Sequence, residues 1–235
     1  MPFQFRPDLS YPPLHQKIWR YMELAKFLAL LQNRCLYFPS LKQLIDEDPW
    51  EGLPSKLNFN STTEDNPVIA KLYKDSYLGA RDSFYVNCWH MNGSESMAQW
   101  KIYGANQCSI AIVSELERAC DAIMDSKNIT GGKIIYYNSE SDSTSSYVIH
   151  QPFFKRKSYE HENEFRFIHW DYHSIRTGNS SEGIFVDVDV KKLIERIVIS
   201  PIAPKWFTNV ISSLIKDYGF DIEVNKSELL EPLIY

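Results

Sequence analysis

Nine glycines in 235 residues, standing singly or in pairs, are too scattered to build a phosphate cradle. No G-x-G-x-x-G fingerprint and no G-x-x-x-x-G-K-[ST] loop can be traced, which excludes conventional Rossmann and P-loop chemistry. The stretch Gly93, Ser94, Glu95, Ser96 lacks a closing glycine, so there is no nucleophile elbow either. Cysteine is sparse: Cys35, Cys88, Cys108 and Cys120 have none of the short spacings of a zinc knuckle or a redox pair, and a reducing compartment is expected. The longest all-apolar run, Phe27 to Leu31, is far too short to span a bilayer, and no basic end with an apolar stretch opens the chain. A soluble, cytoplasmic protein without a membrane partner is the expectation. A positive excess is also missing. The formal charge of −5 argues against a dedicated duplex-binding surface, which needs clustered Lys and Arg. Lys155, Arg156 and Lys157 form the one compact basic cluster, read as a solvated loop with diphosphate binding as the alternative.

What is present is an ordinary apolar content, many aromatics and the length for one sizeable core. Residues 1–13, with Pro2, Pro7, Pro12 and Pro13, are expected to form an N-terminal arm, and residues 14–235 a single domain. Strands are predicted over Ile18–Tyr21, Cys35–Phe38, Ser83–His90, Cys108–Val113, Lys133–Tyr137, His161–Trp170, Gly183–Asp189, Arg196–Ser200 and Phe220–Val224. Helices are predicted over Met22–Asn33, with Leu24, Phe27, Leu28 and Leu31 as its apolar stripe, and over Leu41–Ile45, Pro67–Leu78, Ser94–Tyr103 and Lys205–Tyr218. A further helix runs to Met124, opened by Ser114 and Glu117 as a capping box. Asn58–Asn66 and Ser139–Ser146 read as polar loops, and Tyr147–Ser158 is ambiguous between helix and loop. Strands and helices mix without regular alternation, so the fold class is α+β, with mixed, largely antiparallel sheets and flanking helices.

Two segments concentrate chemistry. In Glu162, Asn163, Glu164, Phe165, Arg166 the carboxylates stand one residue apart, which on a strand places both on one face. Like charges so close raise each other's proton affinity, so the pair calls for a cation or a ligand hydroxyl to meet it; an exposed edge strand with Arg166 in a charge ladder is the alternative. In Cys88 to Gly104, a helix capped by Ser94 would bring Ser96, Trp100 and Tyr103 to adjoining positions, a hydroxyl beside two aromatic faces, or simply two core anchors. His90, His150, His161, His169 and His173 show no ligand spacing that would predict a metal site.

The order of Trp19, Arg20, Tyr21, then Leu36, Tyr37, Phe38, then Asp48, Pro49, Trp50, Glu51, then Cys88, Trp89, then Glu95, Ser96, Trp100, Tyr103, Gly104, and finally Glu162, Glu164, Phe165, Arg166 resembles a widespread bacterial family. It is catalogued as a domain of unknown function, number twenty-nine seventy-one. The layout also resembles the ADP-ribosyltransferase fold, with an Arg on a first strand, a central Ser or aromatic element, and a late pair of Glu. That resemblance implies NAD as substrate, no metal, and transfer of ADP-ribose to an unknown acceptor, protein or nucleic acid. It implies Glu164 as the catalytic carboxylate with Glu162 as accessory. Arg20 would contact the diphosphate, with Tyr21 beside it, and Ser96, Trp100 and Tyr103 would support the nicotinamide ribose. The chain departs from that pattern in lacking the central Ser-Thr-Ser strand motif. A bacterial, phage-defence setting is what the family resemblance suggests. Breaking the nicotinamide glycosidic bond builds positive charge on the ribose carbon, which a fixed carboxylate stabilises as in glycoside hydrolysis.

Two other classes remain open. Glu162, Glu164, Asp187, Asp189 and Lys191 would suit a metal-dependent nuclease if the last three share a strand face. Alternatively, the aromatic patch and the acidic turn Asp46 to Glu51 would form the surface of a non-catalytic sensing domain.

Overall fold

The computed structural model describes residues 3–63, 66–104, 107–177 and 180–230, apart from the side chains of Ile175 and Arg176. Met1 and Pro2 of the expected arm, and Glu64 and Asp65 of the expected loop, lie outside them. In chain order the elements are β1 (Phe3–Gln4), β2 (Lys17–Glu23), α1 (Leu24–Asn33), β3 (Cys35–Pro39), α2 (Lys56–Thr63), α3 (Pro67–Arg81), β4 (Phe84–Met91) and α4 (Met97–Tyr103). There follow β5 (Ser109–Glu115), α5 (Leu116–Ala122), β6 (Ile129–Lys133), β7 (Ile135–Tyr137), β8 (Phe154–Arg156) and β9 (Glu164–Trp170). The chain continues with α6 (Tyr172–Thr177), β10 (Gly183–Asp187), α7 (Val190–Leu193), β11 (Arg196–Ile199), α8 (Lys205–Asp217) and β12 (Glu223–Lys226).

The fold is α+β: an eight-stranded sheet in the order β1-β6-β9-β4-β2-β5-β11-β12, parallel only in the β1–β6 and β11–β12 pairs, with flanking helices. Two short ribbons, β10–β3 and β7–β8, stand beside it. Strand β9 lies between β6 and β4, not at an edge, which overturns the charge-ladder alternative for Arg166. Both of its faces are covered. Phe165 and Phe167 enter the main core, while Ile168 packs with Phe84, Val86 and Phe153 on the other side, the face Arg166 shares by strand alternation. Gly131 and Gly132 lie inside β6, paired with Phe167 and Arg166 of β9, and aromatic rings crowd them. A Cβ on Gly131 would meet the Phe165 ring at 2.8 Å, and one on Gly132 the Phe153 ring at 2.9 Å.

Tertiary packing moves several boundaries. Asn58–Thr63 is helical, not loop, because the Asn58 side chain ties the helix start to Ser55 and to Thr144 of a distant segment. Ser114 caps nothing; its hydroxyl donates to the Leu193 carbonyl at 2.6 Å, and Glu115 stands at the N-cap instead. The cap of α4 is Ser96, not Ser94. Helix α1 buries Phe27, Leu30 and Leu31, so its stripe is rotated towards Leu30 from the one read in the sequence.

Candidate functional site

Strands β2 and β4 pair antiparallel only at Ile18 with Met91 and Trp19 with His90, although both strands continue. Beyond that point β2 follows β5 over its whole length and β4 follows β9, so the sheet opens between them. A cavity of about 660 Å³ occupies the opening. Its walls come from β2 (Arg20, Tyr21), β4 (Cys88, His90), α1 (Lys26, Ala29), the β3–β10 ribbon (Tyr37, Phe185), α4 (Gln99, Tyr103) and the acidic segment (Lys155, Glu162, Glu164, Arg166). Arg20 bridges the gap: its Nη1 donates to the Cys88 carbonyl at 2.6 Å, serving a backbone acceptor that an adjacent β2 amide would otherwise meet. Its remaining nitrogens have no protein partner among the described residues and are not sealed from solvent. Burial lowers the proton affinity of Arg20, against the pull of the Cys88 and Tyr103 groups and Glu164. A guanidinium so placed stays charged.

The acidic pair is not on one strand face. Glu162 ends a 3-10 turn (Lys157–Glu162), Asn163 takes a left-handed φ of 40°, and β9 begins at Glu164. Asn163 sustains that conformation by bonding its side-chain amide to the Met91 carbonyl, while Met91 N donates to the Asn163 carbonyl at 2.8 Å. The turn brings both carboxylates to the same pair of cations. Arg166, wholly buried, grips Glu164 with two bonds, Nε to Oε1 at 2.8 Å and Nη2 to Oε2 at 3.1 Å. Its Nη1 donates to Glu51 at 2.6 Å and to the Pro152 carbonyl at 2.7 Å. Lys155 holds Glu162 at 2.5 Å and stands 3.8 Å from both Glu51 and Glu164. Three carboxylates thus share two cations, a buried network in which removing a cation leaves carboxylates uncompensated.

The proton affinities follow. Burial alone would raise the Glu164 carboxyl, but Arg166 and Lys155, with a hydrogen bond from the Cys88 thiol, outweigh it and hold it at about 2. For Glu162 burial prevails: despite Lys155, its carboxyl is pushed up, with Glu164 adding to the shift. Lys155 and Arg166 overcome their own burial through Glu164 and Glu51 and bind their protons more tightly than usual. Burial raises the Tyr103 phenol and the Cys88 thiol, so both are neutral at physiological pH. His90 is driven down by burial. Its Nδ1 lies 2.6 Å from the Glu162 carbonyl, which can only accept, so the proton sits on Nδ1.

Of the residues singled out in the sequence, Arg20, Tyr21, Tyr103, Glu162 and Glu164 line the cavity, and Ser96 and Trp100 do not. Ser96 caps α4, accepting from Gln99 N, and its own amide donates to the Tyr21 hydroxyl at 2.8 Å. Trp100 packs edge-on against Tyr21 with ring centres 4.9 Å apart, and its indole N–H donates to Glu95 at 3.0 Å. Sequence reasoning missed Lys155, Arg166, His90 and Glu51. Lys155 is 8% exposed and Arg156 pairs with Asp48 at 2.6 Å, so of the three basic residues Lys157 alone is exposed. Within the acidic turn Asp48 and Glu51 are buried, at 2% and 1% exposure, while Asp46 and Glu47 are exposed.

The nuclease constellation does not assemble on a strand. Strand β10 ends at Asp187, Asp189 caps α7 by accepting from Lys192 N at 3.1 Å, and Lys191 lies inside that helix. Among the described residues no group of three or more His, Cys, Asp or Glu is placed to hold a metal ion, and no helix is long and apolar enough to cross a membrane.

No protein-family model matches the chain, and no curated protein does, so neither comparison supports the family numbered above. Two solved structures are similar. Thermus sp. 2.9 DarT in complex with NAD+ has a TM-score of 0.43 and 10% identity, covering 93% of this chain and 98% of that chain. Thermus sp. 2.9 DarT in complex with carba-NAD+ has a TM-score of 0.39 and 10% identity over the same shares of 93% and 98%. At this similarity they assign no role to any residue, and the functional reading rests on the cavity.

Proposed function

We propose that the chain is an ADP-ribosyltransferase-like enzyme that cleaves the nicotinamide–ribose bond of NAD and transfers ADP-ribose to an acceptor, protein or nucleic acid. One observation carries the reading: Arg20, on the first long strand, and Glu162 and Glu164, from the far side of the sheet's opening, wall a single cavity of about 660 Å³. That volume is within the range of small-molecule sites. The donor set fits the ligand. The unpartnered nitrogens of Arg20 suit an anionic diphosphate, the Tyr21 and Tyr103 rings suit a planar base, and the carboxylates suit ribose hydroxyls and the charge that develops on the ribose carbon. Ser96 and Trp100 act from behind the wall, fixing α4 and the Tyr21 ring.

In the reaction the bond between the ribose carbon and the nicotinamide nitrogen breaks, its electron pair leaving with neutral nicotinamide. The acceptor's oxygen or nitrogen forms the new bond and loses a proton. The chain's contribution is placement and electrostatics: Arg20 anchors one end, and the acidic pair faces the carbon that turns positive. A bacterial cytoplasm, in conflict with phage, is the setting we propose from the family resemblance. The test is release of nicotinamide from NAD by purified protein, alone and with cell lysate as a source of acceptor. Release above a heat-inactivated control supports the reading; none in either condition refutes it.

A further inference from the structure

The two carboxylates of the site are not equivalent. Both oxygens of Glu164 are taken by the Arg166 guanidinium, the Cys88 thiol adds a bond, and the residue is 3% exposed. Each Glu164 oxygen already accepts from a buried guanidinium, and at 3% exposure the residue has little surface to offer a ligand hydroxyl. Glu162, which lines the cavity, commits one oxygen, Oε2, to Lys155; its Oε1 has no partner among the described residues and is not sealed from solvent. The rest of Glu162 is held still, because its carbonyl receives the Nδ1–H of His90 at 2.6 Å.

Resting on the function proposed above, we infer that Glu162 is the carboxylate that touches the substrate's ribose, with Glu164 as a positioning residue that acts through Arg166 and Lys155. This reverses the assignment implied by the sequence resemblance, where the second Glu of the pair is catalytic. Glu164 fixes Arg166, Arg166 fixes Glu51, and the two acids together fix the Lys155 ammonium that orients Glu162. The catalytic oxygen is therefore the one left over when the network has satisfied itself.

The groups facing Glu162 are Lys155 from β8, Glu164 and Arg166 from β9, His90 from β4, Tyr103 from α4 and Tyr136 from β7. Activity should fall with acid as Glu162 takes up a proton, above the ordinary range of a Glu carboxyl. Removing the Glu164 charge should move that acid limb to lower pH, because Glu164 helps raise Glu162.

The experiment compares wild type with Glu162→Gln and Glu164→Gln, reading nicotinamide release across pH, NAD binding by calorimetry, and the thermal midpoint. Glu162→Gln should keep the wild-type midpoint to within a few degrees and bind NAD within about tenfold, yet release nicotinamide on the order of a hundredfold more slowly. Glu164→Gln should lower the midpoint and keep an acid limb, displaced downward. Wild-type turnover in Glu162→Gln overturns the inference and leaves the NAD reading standing, and so does a folded, inactive Glu164→Gln beside an active Glu162→Gln. Wild type that neither binds NAD nor releases nicotinamide overturns the reading itself, and the inference with it. If Glu164→Gln fails to fold, Glu162→Gln decides alone.

Discussion

Replacing Arg166 by Met should change both the size of the stability and the sign of its pH dependence. Arg166 has no exposed surface and makes bonds to Glu164, Glu51 and the Pro152 carbonyl. Met has a comparable shape and no charge, so the substitution tests the electrostatics rather than the packing. In wild type the Glu164 carboxyl sits at about 2 against an ordinary 4.5, worth about 3 kcal/mol of folding free energy at neutral pH as an order of magnitude. Because the folded value is depressed, that contribution is present above the unfolded value and is lost as pH falls from about 4.5 towards 2. Without Arg166, Lys155 alone faces Glu51, Glu162 and Glu164, and breaking a buried pair in this way typically costs about 3–5 kcal/mol. Burial then dominates Glu164 and raises its carboxyl. The variant should therefore gain stability as pH falls from 7 towards 5, where wild type does not gain from this residue. Urea midpoints at both pH values give the measurement. A variant that loses less than about 1 kcal/mol at pH 7 and keeps the wild-type pH dependence would refute the account of the network.

Three further outcomes follow from particular contacts. Arg20→Ala should weaken NAD binding by roughly ten- to a hundredfold in calorimetry, the range of one charged hydrogen bond, and should cost a little stability by freeing the Cys88 carbonyl; unchanged affinity removes Arg20 from the site. Trp100→Ala should destabilise by about 3–5 kcal/mol in denaturant because the ring is a core anchor at 3% exposure; a folded variant of wild-type stability contradicts its place in the core. Gly131→Ala should cost about 1–3 kcal/mol, since its Cβ would meet the Phe165 ring and the Arg166 carbonyl at 2.8 and 3.1 Å; a neutral thermal shift would mean β6 yields more easily than its packing implies.

Much of the local structure is written in local patterns. The apolar alternation of Phe165, Phe167 and their neighbours announces a strand, Pro67 at a first turn announces α3, and both are found. Patterns fail where a distant partner wins. Ser114 and Glu117 match a capping box, but the Ser114 hydroxyl is claimed by Leu193 across the fold. The Glu-x-Glu spacing suggests one strand face, but the left-handed Asn163 breaks the alternation and puts the two acids on different elements. In the site, the acidic pair and Tyr103 could be picked out because unusual residue types stood out against an apolar strand or an aromatic helix, whereas Arg20 comes only from the resemblance to the ADP-ribosyltransferase fold. Lys155 could not, because its Lys-Arg-Lys neighbourhood reads as a solvated loop and only the fold reveals its burial.

By itself the sequence determined the α+β class, most of the elements and the identity of the unusual charges, because propensity, periodicity and turn chemistry act over a few residues. Tertiary structure alone decided where β2 parts from β4, and so where the cavity lies. It also decided which carboxylate is spent on Arg166 and which keeps a free oxygen. Those outcomes depend on charges far apart in the chain, such as Glu51 and Arg166, meeting in a medium that screens them little, and no local pattern encodes such a meeting.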